Sequence, residues 1–287
     1  MIAATDLTWW QTVILGIVEG VTEFLPISST GHLTITEKLF GLPINDPGVV
    51  AFTAIIQIGA ISASVVYFWG DIVRIVRAWA RGLGNAERRR DPDYRFGWAI
   101  IFGSVPIAVV GLLFKDIIET GLRSMWFVAG GLIIWSAVLW LGDYWARPIG
   151  KGKSETGTTI KDAVIIGAVQ CFSLIPGVSR SGSTISAALM LGYDRVVATR
   201  MSFFLGIPAL VAAGLLQAVT EFGNVSETVG WGYTILGLVI SFIVGYASIA
   251  WLLRFVSKHS FSGFIGYRIL LGLAIIVMLV TGVISAV

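Results

Sequence analysis

Six long apolar segments constrain the fold of this chain more than any other feature of its sequence. We place them at residues 52–69, 97–114, 125–142, 201–219, 232–253 and 269–287. A helix needs about 20 apolar residues to cross the roughly 30 Å hydrocarbon core of a bilayer. The chain is 56% hydrophobic and 13% charged, whereas soluble proteins carry about 25% charged residues. The sequence therefore excludes a soluble globular protein and predicts an all-α polytopic membrane protein.

The basic residues predict how these segments are oriented. Most of the lysines and arginines lie in three loops, at residues 74–95, 147–161 and 254–268. Cytoplasmic loops of membrane proteins carry an excess of Lys and Arg, so we predict that these three loops are cytoplasmic. Because insertion accounts for the net charge of +3, we expect no nucleic-acid partner. The single cysteine, Cys171, excludes an internal disulfide.

Two further segments, 9–40 and 162–191, are apolar only in pieces. Each is interrupted by Pro, Gly and a run of Ser and Thr. With the orientation above, each segment begins and ends on one side of the membrane. Irregular backbone at membrane depth is tolerated where it is buried in protein or lines a cavity. We therefore predict two re-entrant helical hairpins that enter the bilayer from opposite faces.

These two segments resemble each other in sequence when they are aligned, without a gap, so that Ile14 falls on Ile165. At that offset Gly16, Val18, Ser28 and Gly31 fall on Gly167, Val169, Ser179 and Gly182. The pattern predicts a single domain, 1–287, built as an inverted repeat of 1–145 and 160–287. Binding sites in such repeats lie near the membrane midplane, where broken helices meet. Chance similarity between Gly-rich apolar segments is the competing explanation.

Ionisable residues at membrane depth are costly and therefore mark functional sites. Glu19 and Glu23 are four residues apart and share one helix face. Two adjacent carboxylates repel unless they share a cation, and oxygen ligands favour Mg²⁺ or Ca²⁺. His32, in the same segment, is a candidate proton-transfer group.

Each predicted hairpin has a turn rich in hydroxyl groups. The first turn contributes Ser28, Ser29, Thr30 and Gly31, and the second contributes Ser179, Arg180, Ser181, Gly182 and Thr184. Turns that open a helix present backbone N–H groups to anions, and the guanidinium of Arg180 matches phosphate oxygens. Carboxylates, hydroxyls, one imidazole and one guanidinium in a shared pocket indicate phosphoryl chemistry.

Structural roles compete with these functional interpretations. Arg180 can form a structural ion pair with Glu19 or Glu23, and hydroxyls in membrane helices often bond their own backbone. Gln57, on the first long segment, either lines the cavity or bonds a neighbouring helix.

Residues 19–32 and 176–182 resemble the two signature motifs of the bacterial undecaprenyl-diphosphate phosphatase family, also called the bacitracin resistance protein family. The interval between the motifs, the chain length and the hydrophobic layout are similar as well. One departure is Val178, where the family often has Thr. The resemblance implies six spans plus two re-entrant hairpins. It also implies a hydrolase that removes the terminal phosphate of undecaprenyl diphosphate, which recycles the lipid carrier for peptidoglycan synthesis and confers bacitracin resistance.

Carried over to this chain, the family's site residues have defined roles. Glu19 and Glu23 hold the divalent metal, Ser29 is the nucleophile, His32 is its acid or base partner, and Arg180 with the neighbouring hydroxyls binds the diphosphate. Ser28 and a metal-bound water are the alternatives to Ser29. The resemblance also implies a site that opens to the outer face of the bacterial inner membrane. Because a long prenyl tail prefers hydrocarbon, we expect the lipid substrate to enter laterally.

Two other functions are weighed against this one. An inverted repeat with charges at its midplane is also how secondary transporters are built, so a transporter of the lipid carrier is the alternative. A phosphatase of the phosphatidic-acid type needs two histidines, and only His32 lies in the right region. The sequence leaves the oligomeric state open, a homodimer included.

Overall fold

The computed structural model describes residues 7–44, 46–114, 117–118, 122, 124–227 and 229–286. Within these residues the chain forms eleven α-helices and no β-strand. The helices are α1 Trp9–Thr22, α2 Ser29–Leu39, α3 Pro47–Tyr67, α4 Trp69–Gly84, α5 Pro92–Leu113, α6 Met125–Tyr144, α7 Ile160–Gln170, α8 Arg180–Met190, α9 Arg195–Glu227, α10 Trp231–Val256 and α11 Ser262–Val280.

Six of the described helices are long and apolar enough to cross a membrane: α3, α5, α6, α9, α10 and α11. The prediction of an all-α polytopic membrane protein is confirmed. Several of these helices begin before the apolar run does, because polar caps and prolines start them. Pro47 and Pro92 are the first residues of α3 and α5, where the fixed φ of proline suits a helix start. The Asp46 carboxylate accepts the Gly48 N–H at 2.8 Å.

Helix α4 was not predicted, since it lies in a segment that we interpreted as a cytoplasmic loop. Ile72, Ile75 and Trp79 recur at helical spacing on this helix, and Arg74 and Arg77 alternate with them. A search for long apolar runs misses such a helix, because its hydrophobic residues occupy only one face.

The chain divides into two compact units. The first comprises Met1–Leu25, Ser29–Tyr67 and Leu210–Leu252, and the second comprises Pro26–Ser28, Phe68–Ala209 and Leu253–Val287. In the first unit Leu15, Leu33, Phe52 and Ile56 belong to one buried apolar cluster. In the second unit α5 packs against α7, and α6 packs against α8 and α11.

Each of the two segments predicted as hairpins forms two short helices joined by a tight turn. Helices α1 and α2 form in the first segment, and α7 and α8 form in the second. The entries to α1 and α7 are built alike. The Gln11 side chain accepts the Thr8 N–H at 2.9 Å, and the Thr159 hydroxyl accepts the Asp162 N–H at 3.0 Å. These two capping boxes occur at the offset that the sequence repeat predicts.

A pair of glycines at the same offset lets each first short helix pack closely. A Cβ on Gly16 of α1 would come within 2.9 Å of the Gly237 carbonyl oxygen on α10. A Cβ on Gly167 of α7 would collide with the Gly103 carbonyl oxygen on α5. Thus α1 packs against the second long helix of the second half, and α7 packs against the second long helix of the first half.

Candidate active site

The first turn brings a carboxylate and a hydroxyl together. Helix α1 ends at Thr22, and Pro26 prevents its continuation because proline has no N–H and its ring clashes with the preceding turn. Helix α2 begins at Ser29, whose Oγ donates a hydrogen bond of 2.7 Å to Glu23 Oε2. Glu23 itself is buried. This contact joins two residues that the sequence predicts as site residues.

Glu19 lies one helical turn before Glu23 and is fully buried. Within the described residues neither carboxylate oxygen of Glu19 accepts a hydrogen bond, and Glu23 and Glu37 both repel its negative charge. Uncompensated carboxylates are expensive in a buried position. A hard divalent cation would satisfy the Glu19 oxygens, so the chemistry of these donors fits the predicted Mg²⁺ or Ca²⁺.

Among the described residues no group of three His, Cys, Asp or Glu side chains is arranged to ligate a metal. A cation at Glu19 and Glu23 would therefore take its remaining ligands from water or from substrate oxygens, as Mg²⁺ commonly does.

Glu37 is a polar residue of this region that our sequence analysis missed. It is buried on α2, and its Oε1 accepts the Thr53 hydroxyl of α3 at 2.8 Å. The rule that selected Glu19 and Glu23 also selects Glu37, because Glu37 is an ionisable residue inside the segment 9–40.

The other site residues of the first unit are more open. His32 is half-buried on α2, three residues after Ser29, so the two share one helix face. Thr30 is exposed and Gly31 is buried. Gln57 is half-buried on α3, and no hydrogen bond joins its amide to Glu19 or Glu23 in the described structure.

The second turn ends in a capped helix that is lined with hydroxyls. Ser179 precedes α8, and its Oγ accepts the Gly182 N–H at 3.2 Å and lies 3.1 Å from the Ser181 Oγ. The Thr184 hydroxyl donates to the Arg180 carbonyl at 2.8 Å. Thr184 therefore bonds its own helix, as the structural interpretation of such hydroxyls expects, whereas Ser179 and Ser181 form a buried pair at the helix start.

Arg180, the first residue of α8, is anchored on α9. Its Nη1 donates to the Ser202 carbonyl at 3.0 Å. The guanidinium lies directly over Gly206, where any Cβ would collide with it. Gly206 therefore makes room for the arginine side chain.

Ser28 and Ser179 have the same unusual backbone conformation. Their φ angles are 77° and 76°, and they are the non-glycine residues with positive φ in the described chain. Such conformations are strained for a residue with a side chain and cluster at active sites. They stand at equivalent positions of the two halves, each directly before a helix, which identifies both turns as specialised structures.

Arg268 lies elsewhere than the sequence predicted. We assigned it to the cytoplasmic loop before a span starting at residue 269, and this assignment is wrong. Helix α11 begins at Ser262, so Arg268 lies within it, and its side chain is completely buried. Helix α11 begins seven residues before the apolar run that we identified, with Phe261 at its N-cap, and it therefore includes this arginine.

Six described helices long and apolar enough to cross a membrane, with buried carboxylates and a buried arginine, define the class of integral membrane proteins that bury polar groups in their interior. Residues 12–274 match the family described as Bacitracin resistance protein BacA, and the chain belongs to that family. The family that the sequence motifs predicted is thereby confirmed.

The chain is similar over almost its whole length to curated proteins from several bacteria. It is 55% identical to the undecaprenyl-diphosphatase of Cutibacterium acnes, over 98% of this chain and 100% of that protein. It is 54% identical to undecaprenyl-diphosphatase 3 of Frankia casuarinae, over 96% of this chain and 98% of that protein. Identity to the undecaprenyl-diphosphatase of Mycolicibacterium smegmatis is 46%, over 98% and 100% of the two chains.

Proposed function

We propose that this protein hydrolyses undecaprenyl diphosphate to undecaprenyl phosphate and inorganic phosphate. The observation that carries the proposal is the near-complete alignment with relatives named undecaprenyl-diphosphatase. The product is the lipid carrier used in peptidoglycan synthesis, so the enzyme recycles that carrier and confers resistance to bacitracin. No observation favours the alternative, transport of the lipid carrier.

In the first chemical step Ser29 Oγ attacks the terminal phosphorus of the diphosphate. The new bond joins that oxygen to phosphorus, and the bond to the bridging oxygen breaks and leaves undecaprenyl phosphate. Glu23 accepts the Ser29 proton, and the 2.7 Å hydrogen bond between them supports this role. A serine without such a base is a weak nucleophile at neutral pH.

In the second step a water oxygen attacks the phosphoserine. The Ser29 oxygen leaves with its electron pair and regains a proton, and inorganic phosphate is released. His32 is the group we assign to moving the water proton, because it shares a helix face with Ser29.

Glu19 and Glu23 are the residues that would hold Mg²⁺ or Ca²⁺ in this proposal. The buried, unbonded oxygens of Glu19 support the assignment. When bound, such a cation neutralises charge on the phosphate oxygens.

Binding of the diphosphate falls to Arg180 and the hydroxyls around the two turns. The guanidinium of Arg180 and the positive end of the α8 dipole are suited to phosphate oxygens. We assign Ser28, Thr30, Gly31, Ser179, Ser181, Gly182 and Thr184 to the same task. We also propose that Gln57 lines this site.

The decisive experiment measures phosphate release from undecaprenyl diphosphate by the purified protein with Mg²⁺. We expect Glu23→Gln and Ser29→Ala each to lower kcat by at least about a thousandfold, because one removes the base and the other the nucleophile. Substrate labelled in its terminal phosphate should label Ser29. Thr34→Ala is the matched control, since the Thr34 hydroxyl donates to the Thr30 carbonyl of its own helix at 2.8 Å.

Retention of most activity in Ser29→Ala would transfer the attack to water. Movement of the lipid across vesicles without phosphate release would favour the transporter instead.

We also propose that the protein lies in the inner membrane with its basic loops inside and its site open to the outer face. The excess of arginine around residues 74–95 supports this orientation. In a Cys171→Ser background, Ala86→Cys should react with an impermeant thiol reagent only in inverted vesicles, and Val219→Cys only in intact cells. The reverse pattern would contradict the orientation.

A further inference from the structure

Arg268 carries a charge in the interior of the second unit, and among the described residues no acidic side chain bonds it. Its side chain is completely buried on a helix apolar enough to span a membrane. In the described structure its hydrogen bonds all go to neutral oxygens, four of them backbone carbonyls. A buried charge without a counterion is unfavourable, and at membrane depth it indicates a function.

The guanidinium of Arg268 joins the two turns at equivalent points. Its Nη1 donates to the Pro26 carbonyl at 3.0 Å, and its Nη2 donates to the Gly177 carbonyl at 3.1 Å. Pro26 and Gly177 are related by the same offset as Ser28 and Ser179. Because the donors of an arginine form a rigid planar fork, one side chain fixes the spacing between the two turns.

Helix α6 holds this fork in its orientation. Arg268 Nε donates to the Ser136 hydroxyl, and Nη2 donates to the Gly131 carbonyl, each at 3.2 Å. Gly131 must lack a side chain, because a Cβ there would come within 2.6 Å of the Pro176 carbonyl oxygen. The α6 backbone therefore reaches the second turn and locks the arginine beneath it.

The charge of Arg268 stands beside the start of α8. Its Nη1 lies 3.6 Å from the position that a Cβ on Gly182 would occupy. Gly182 belongs to the group of residues that we assign to diphosphate binding, and its N–H is held by Ser179. The positive charge and the helix N-terminus therefore reinforce each other at this point.

We propose that Arg268 is a positioning residue for the diphosphate site. It fixes the spacing of the two serine-bearing turns, and its uncompensated charge attracts the diphosphate. This inference rests on the proposed function and extends it to a residue outside both signature motifs. It makes two separable predictions, since turnover should depend on the shape of the fork and anion affinity should depend on the charge.

The test uses the full-length purified protein with Mg²⁺ and undecaprenyl diphosphate as substrate. Methylenediphosphonate, which cannot be hydrolysed at its bridge, serves as the competitive anion. Arg268→Lys keeps the charge but cannot bridge the turns, so we expect kcat to fall about a hundredfold with little change in the inhibitor's Ki. Arg268→Gln also removes the charge, so its Ki should rise about tenfold in addition.

If substitutions at Arg268 prevent folding, a milder pair of variants tests the same inference. Ser136→Ala removes one acceptor of the fork and leaves the arginine in place. Ser64→Ala is the matched control, since Ser64 is also buried and its hydroxyl donates to a carbonyl of its own helix, that of Ile61, at 2.7 Å. We expect kcat to fall about fivefold to tenfold for Ser136→Ala and to stay at the wild-type value for Ser64→Ala, with equal melting temperatures.

Wild-type kcat and Ki in a folded Arg268→Gln protein would overturn the inference, and so would equal kcat for the two serine variants. An unchanged Ki in Arg268→Gln would overturn the role of the charge. A wild-type protein that releases no phosphate would refute the proposed function itself, which is a different and recognisable outcome.

Discussion

At the scale of single residues, the two turns share the backbone conformation of Ser28 and Ser179, and the residues around them differ in charge. Glu19 and Gln170 occupy equivalent positions, both are fully buried, and the polar side-chain atoms of both lack hydrogen-bond partners within the described residues. A carboxylate can recruit a cation, whereas a neutral amide cannot. At the position equivalent to Ser29 the second half has Arg180. The first half is thus suited to a metal and a nucleophile, and the second to an anion.

The unbonded amide of Gln170 leads to a stability prediction. Gln170→Leu keeps a side chain of similar size and removes two buried polar atoms that lack partners. We expect it to stabilise the protein by on the order of 1 kcal/mol, because unpaired buried polar groups are unfavourable. The measurement is the thermal unfolding midpoint in detergent.

Gln11→Leu is the matched control for that measurement. Gln11 is also buried, but its Oε1 accepts hydrogen bonds from the backbone and the side chain of Thr8. Loss of this cap should destabilise the protein by about 1 kcal/mol. A lower midpoint for both variants would show that the Gln170 amide does have a stabilising partner.

At the scale of helices, glycine decides which elements pack closely. Helix α7 approaches α5 so closely that only hydrogen atoms fit between Gly167 and the Gly103 carbonyl oxygen. The interfaces of membrane helices are enriched in small residues for this reason. The periodicity of the apolar residues cannot reveal which helices pack closely, because it marks the buried face of a helix but does not identify the partner helix.

The close contact of α7 with α5 is testable with one methyl group. Gly167→Ala should destabilise the protein by about 1 to 3 kcal/mol, since the added carbon overlaps a backbone oxygen that cannot move independently. Gly111→Ala on α5 has open space around the new carbon and should stabilise its helix by about 0.5 to 1 kcal/mol. Equal shifts in the unfolding midpoints of the two variants would contradict the close packing of α7 against α5.

At the scale of the whole molecule, ion pairs connect distant stretches of the second unit. Asp71 accepts a hydrogen bond from Arg74 at 3.0 Å and another from Arg200 at 2.9 Å. Burial opposes the ionisation of Asp71, but these two arginines hold the pKa of its carboxyl below the ordinary value of 3.8. The pair Asp71 and Arg200 ties the start of α4 to the start of α9.

The depressed pKa of Asp71 predicts how stability depends on pH. A carboxyl whose folded-state pKa is lowered contributes stability that is present above its ordinary pKa and is lost as the pH falls through the folded-state pKa. Asp71→Asn should therefore lower the unfolding midpoint at pH 7, and its difference from wild type should shrink below about pH 4. Glu87→Gln, at an exposed position, is the control. A pH-independent difference would contradict the role of this ion pair.

The sequence by itself determined the class of the protein and its family, and it supplied the candidate residues of its site. Six apolar runs require membrane helices, because unpaired backbone groups are too costly in hydrocarbon. The spacing of Glu19, Glu23 and Ser29, and the offset between the two turns, are local patterns that can be read along the chain. Only the tertiary structure decided that the Ser29 hydroxyl bonds Glu23, that the Thr53 hydroxyl bonds Glu37, and that Arg268 is buried against both turns. The contacts of Arg268 depend on segments far apart in sequence, and no local pattern specifies which carbonyl oxygens a buried arginine will reach.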